Sequence, residues 1–169
     1  DLDDALEWLR GGGMDQEQVQ EQPQQAEREE LCFTGTFDHT LDAKGRVSLP
    51  AKIRRSLPPT VKTVLSLDRG SIYVFSPKAY KAWYDSFFPN GYNPRSSSDV
   101  KLRTRLMAFA EDSDIDSAGR IGISAKLRGL VGLEKDVTII GLGDCLQIVD
   151  RAKYTAVEDE LLDMDFMVD

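Results

Sequence analysis

The chain has 169 residues, 41% of them hydrophobic and 30% charged, with a formal net charge of −8. That composition suits a soluble globular protein with one sizeable core or two small ones, and no run of about 18 uncharged apolar residues offers a membrane span. The two cysteines, Cys32 and Cys145, lie far apart without a CxxC pair, which argues against a disulfide framework or a thiolate metal site; both are expected to be small buried hydrophobes.

In chain order, residues 1–10 put Leu2, Ala5, Leu6 and Leu9 at helical spacing and predict a short amphipathic helix that stops at Gly11, Gly12 and Gly13. The Gln- and Glu-rich run 14–30 has almost nothing apolar to bury and reads as disordered linker. Met14 follows the glycines, so residues 1–13 read as an upstream extension or an appended peptide. Residues 1–30 hold ten acids against Arg10 and Arg28 and lack the basic start of a secretory signal, so a cytoplasmic protein is expected. Residues 31–153 hold 19 basic and 13 acidic residues, and Glu158, Asp159, Glu160, Asp163, Asp165 and Asp169 form a second acidic end. A basic core between acidic ends can still attract a polyanion where its cations share a face.

Residues 36–41 and 46–49 are predicted strands of a tight hairpin around Asp42-Ala43-Lys44-Gly45, the composition of a type I turn whose glycine is left-handed. Pro50 opens a short helix with Leu49, Ile53 and Leu57 on one face and Lys52, Arg54 and Arg55 elsewhere, ended by Pro58-Pro59. Strands at 61–67 and 71–75 flank Asp68-Arg69-Gly70, and Ser76-Pro77 starts a helix through Phe88. In that helix Tyr80, Trp83, Tyr84, Phe87 and Phe88 have the spacing of a core or a subunit interface, which is preferred to a base-stacking platform. A loop at 89–98 leads to a helix at 99–110. The order then repeats. Asp42-Ala43-Lys44-Gly45-Arg46 aligns with Asp116-Ser117-Ala118-Gly119-Arg120, and Ala51-Lys52-Ile53-Arg54 with Ala125-Lys126-Leu127-Arg128, at a constant offset of 74. The same offset carries Ile72 onto Leu146, Val74 onto Ile148 and Tyr80 onto Tyr154. Strands at 137–142 and 145–149 flank Gly143-Asp144, and Asp150 caps the last helix. A whole module is duplicated, so two tandem domains are expected.

These residues resemble a known family. Phe33-Thr34-Gly35, Leu41-Asp42-Ala43-Lys44-Gly45-Arg46 and Leu49-Pro50-Ala51-Lys52 look like the start of MraZ proteins, and Asp116 to Arg120 followed by Gly132-Leu133-Glu134-Lys135-Asp136-Val137 is similar to their second repeat. The resemblance covers residues 32–157. It implies an α+β, β-rich fold of two tandem AbrB-like swapped-hairpin modules forming a pseudo-twofold barrel with flanking helices. It also implies assembly into a ring-like homo-oligomer. The organisation that follows is an acidic, largely disordered extension at 1–30, modules at 31–88 and 111–157, a linker loop and helix at 89–110, and an acidic tail at 158–169. The family regulates the division and cell-wall gene cluster by binding repeated promoter elements in double-stranded DNA, so a nucleoid-associated cytoplasmic protein is expected. This chain departs from the pattern in its extension, in Ser124 where the first copy has Pro50, and in Ala118 where it has Lys44, which leaves the second turn less basic.

A hairpin tip suits DNA, because phosphates need fixed cations and base reading needs a projecting Arg or Lys. Asp42 is expected to accept backbone N–H bonds inside its turn and to orient Arg46, with Lys44 at the apex. The candidate DNA-binding residues are Arg46 first, then Lys44 and Arg120, with Asp42, Asp116, Lys52, Arg54 and Lys126 beside them. For Asp42, Asp116, Gly45 and Gly119 a backbone-shaping role takes the larger share. The lone His39 has no catalytic partner and Gly141-Leu142-Gly143 lacks the third glycine of a dinucleotide fingerprint, so no enzyme, cofactor, metal or small-molecule substrate is expected. The rival reading is a ring-forming interaction module or an AbrB-like antitoxin.

Overall fold

The computed structural model describes residues 32–165; the helix expected at 1–10 and the linker at 14–30 lie outside the described residues. Eight strands and five helices follow in the order β1 (Thr36–Thr40), β2 (Arg46–Ser48), α1 (Ala51–Arg54), β3 (Thr60–Leu65), β4 (Ile72–Phe75), α2 (Pro77–Asp85), α3 (Ser97–Ala108), β5 (Ala110–Asp114), β6 (Arg120–Gly122), α4 (Ala125–Val131), β7 (Asp136–Gly141), β8 (Leu146–Asp150) and α5 (Arg151–Leu162). The fold is α+β and β-rich, as expected. The offset of 74 that takes Asp42 to Asp116 also takes the first residues of β1, β2, α1, β4 and α2 onto those of β5, β6, α4, β8 and α5.

Six strands form one antiparallel sheet in the order β1-β7-β8-β4-β3-β5, and β2 and β6 form a second, two-stranded one. Exchanging each strand for its equivalent at the offset leaves the six-stranded order unchanged when read from the other end. The register obeys the same exchange: Val47 lies opposite Ile121 and Tyr73 opposite Gln147, each pair one repeat apart. Strands β1 and β5 are the two edges of the larger sheet, so its hydrogen bonds do not close into a barrel.

The hairpins expected around Asp42 and Asp116 form only at their tips. Within the first, Gly45 N–H donates to the Asp42 carbonyl at 2.9 Å and Asp42 N–H to the Arg46 carbonyl at 2.8 Å; further out, Leu41 N–H donates to the Lys135 carbonyl and Leu49 N–H to the Gly119 carbonyl. Strand β1 therefore pairs with β7, and β5 with β3, while β2 pairs with β6. A three-residue strand can close little of an isolated hairpin, and such hairpins are marginal in water. Pairing across the repeat lets Val47 and Ile121, both with no exposed surface, enter a shared core.

That core draws on both halves. Val47, Leu49, Ile53, Val61, Ile72 and Val74 pack with Ile121, Ile123, Leu127, Val137, Leu146 and Ile148 in one cluster. A second cluster joins Val64, Phe75, Tyr80 and Cys145, flanked by Tyr73, Trp83 and Tyr84, so Tyr80, Trp83 and Tyr84 pack as expected, whereas α2 ends at Asp85, before Phe87 and Phe88. Helix starts follow their sequence signals. The side chains of Ser76, Ser96, Ser124 and Asp150 each accept a backbone N–H of the first turn. Helix α4 runs to Gly132, whose left-handed φ of 79° lets Gly132 and Leu133 both donate to the Arg128 carbonyl, whereas the prolines after Leu57 keep α1 to four residues.

Candidate nucleic-acid interface

Each Asp-x-x-x-Arg turn is organised by its carboxylate. Asp42 Oδ1 accepts the backbone N–H groups of Lys44 and Arg46, both at 2.9 Å, and Oδ2 accepts Arg46 Nε at 2.8 Å. Asp116 repeats this with Ala118 N–H, Arg120 N–H and Arg120 Nε, all at 2.9 Å. The backbone N–H of the arginine is the main cause that holds each carboxyl below the ordinary value of 3.8; the guanidinium hydrogen bond adds to it and partial desolvation opposes it. Because each Asp engages the Nε edge, the terminal nitrogens of the two arginines are left for a second acceptor, and Arg120 Nη1 already faces one, Asp42 of the other repeat. About a third of each of these four side chains is open to solvent.

Pairing of β2 with β6 sets the two turns side by side. Arg120 Nη1 stands 3.7 Å from Asp42 Oδ2, so that carboxylate faces arginines from both repeats. Two further arginines join from the helices that follow. A Cβ added to Gly45 would fall 2.6 Å from the Arg128 guanidinium, and one added to Gly119 would collide with that of Arg54. Each helix arginine thus lies across the turn glycine of the other repeat, and both glycines have positive φ, +75° and +77°. Arg128 Nε is also fixed by the Ile123 carbonyl at 3.0 Å. With Lys44 exposed at the first tip, the surface assembles Lys44, Arg46, Arg54, Arg120 and Arg128 around Asp42 and Asp116.

The structure sorts the other residues singled out from sequence. Lys126 is turned to the Phe109 ring, 5.2 Å from its centroid, and has no contact with either turn; Lys52 is exposed on α1 with no side-chain partner among the described residues. Arg128 was absent from the candidates although the offset that maps Asp42 onto Asp116 also maps Arg54 onto Arg128. His39 lies on the edge strand β1, where its carbonyl accepts Arg151 Nη2 at 2.7 Å. Cys145 is buried as expected, with burial and neighbouring Asp144 pushing its thiol up to about 12. Cys32 is exposed, contrary to expectation, and the neighbouring Phe33 enters the core in its place. Among the described residues no helix is long and apolar enough to cross a membrane.

Comparison with known proteins gives a consistent result. A family model for the MraZ protein, described as antitoxin-like, matches residues 32–90 and 106–169. The chain is 36% identical over 122 residues to the transcriptional regulator MraZ of Treponema denticola, covering 72% of this chain and 84% of that protein. It is 35% identical over 128 residues to that of Treponema pallidum, covering 76% and 85%. With the regulator of the same name from Anaeromyxobacter it shares 30% over 149 residues, covering 81% and 96%.

Proposed function

The chain belongs to the MraZ family, and from that premise we propose that it is a DNA-binding transcriptional regulator that touches the double helix through its two Asp-x-x-x-Arg turns. The observation that carries this reading is the adjacency of the turns: β2–β6 pairing joins them into one surface with four arginines and one lysine. An arginine whose Nε edge is held by a carboxylate presents its remaining N–H groups in a fixed direction, which lowers the ordering cost of contacting a phosphate or the O6/N7 edge of guanine. The near-twofold relation of the turns fits a target with two related halves. Lys44 and Ala118 at the tips make the first turn the stronger cation and the second a weaker contact.

The exchange of β1 and β5 between repeats supports reading residues 31–88 and 111–157 as two AbrB-like modules with swapped hairpins in one chain. Family resemblance points to repeated promoter elements ahead of division and cell-wall genes as the target, to a nucleoid-associated cytoplasmic protein, and to a ring-like assembly of copies. A mobility-shift titration with duplex DNA from upstream of the protein's own gene, against a scrambled duplex, tests the reading. Arg46→Ala should cost about 1–3 kcal/mol of specific affinity, a loss of about 5- to 150-fold. Equal binding by the variant, or no specific binding by the wild type, would overturn it.

A further inference from the structure

Because the hairpin ladders stop at their tips, the outward edge of each turn-bearing strand depends on side chains for its hydrogen bonds. Leu49 N–H and Ile123 N–H donate across the β2–β6 pair to the Gly119 and Gly45 carbonyls. By the alternation of an antiparallel ladder, the N–H and C=O of Gly122, which lies opposite Arg46, then point away from β2. One atom satisfies both: Ser113 Oγ accepts the Gly122 N–H at 3.1 Å and donates to the Gly122 carbonyl at 3.0 Å. Strand β5, which carries Ser113, is a firm base for this clamp. It pairs with β3 along its whole length, Thr60 Oγ1 donates to Asp114 at 2.7 Å, and Lys62 Nζ is paired with Asp112.

The offset of 74 puts His39 in the place of Ser113 and Ser48 in the place of Gly122. A hydroxyl oxygen donates and accepts at one atom, whereas each imidazole nitrogen does one or the other, so no single atom of His39 can repeat the clamp on Ser48. Strand β6 is thus held from both sides, by β2 and by Ser113, and β2 lacks the second hold. The clamped residue stands next to the arginines of both turns. Gly122 is two residues after Arg120, and Arg46 Cγ lies 4.0 Å from where a Cβ on Gly122 would be. We propose that Ser113 is a positioning residue of the DNA-contacting surface: by fixing β6 it presets Arg120, and the unclamped first turn, with Lys44, is the half that adjusts to DNA. This rests on the DNA-binding reading above, and Ser113 acts through Gly122 and Arg120 without itself contacting DNA.

Amide hydrogen exchange on the full chain tests the clamp without DNA. The Gly122 N–H should exchange more slowly than that of Ser48. It should lose this protection in Ser113→Ala and keep it in Ser113→Thr, which retains the hydroxyl. A mobility-shift titration, with circular dichroism to verify folding, then tests the role. Ser113→Ala should weaken specific binding by about two- to ten-fold, the size of one ordinary hydrogen bond. Ser113→Thr should bind as wild type does, and Ser113→Ala should cost nothing further in an Arg120→Ala background. Exchange at Gly122 as fast as at Ser48, wild-type affinity in Ser113→Ala, or the same loss in both backgrounds would overturn the proposal alone. Absence of specific binding by the wild type would overturn the functional reading, and the proposal with it.

Discussion

Asp42 and Asp116 each satisfy three donors with two oxygens, and those bonds are stronger while the carboxyl is ionised. Their folded pKa values lie below 3.8, so the stability they contribute is present above that value and is lost as pH falls through the lowered ones. An Asp42→Asn/Asp116→Asn chain should therefore be less stable than wild type at neutral pH in a denaturant titration, with the gap shrinking under acid below pH 3.8. A gap constant with pH would mean that charge is not what holds the turns. Gly45→Ala tests geometry in place of charge. A left-handed conformation costs an L-residue about 1–2 kcal/mol, and here the new methyl also meets the Arg128 guanidinium, so both stability and the placing of that arginine should suffer. A midpoint equal to wild type would contradict this. The Asp-to-Arg pairing was legible in the sequence because it is local, spanning four residues. The Arg54 and Arg128 contacts were not, because they cross between repeats and depend on the pairing of β2 with β6.

At the scale of elements, composition and spacing located the strands and helices to within a few residues, since turn residues, caps and prolines act locally. What they misjudged was partnership. Residues 36–41 and 46–49 read as two arms of one hairpin, yet the ladder beyond Asp42 and Arg46 passes to Lys135 and Gly119. Sequence adjacency favours the local hairpin; burial of Val47 against Ile121 favours the exchanged one, and a shared core decides between them. Ile121→Ala should expose that choice. Removing a fully buried isoleucine side chain usually costs about 2–5 kcal/mol, and here the loss falls on the strand pair that carries both turns. The expected outcome is a lower denaturation midpoint together with weaker DNA binding at a temperature where the variant is still folded. Weaker stability with unchanged binding would separate the strand pair from the site.

For the whole molecule, the net charge of −8 misleads because it averages acidic ends with a basic middle. The duplication, legible as a constant offset, is the feature that organises everything else: it accounts for a strand order that reads alike from both ends, for two turns side by side, and for four arginines on one surface. The central claim is that these turns act on DNA as a single surface. A salt titration of DNA affinity for wild type, Arg46→Ala and Arg120→Ala tests it most directly, because each lost phosphate contact lowers the log–log slope by about 1. Both variants should bind more weakly, Arg46→Ala more so, each with a shallower slope. Wild-type affinity and slope in Arg120→Ala, beside a damaged Arg46→Ala, would contradict a joint surface and leave the first turn to read DNA alone.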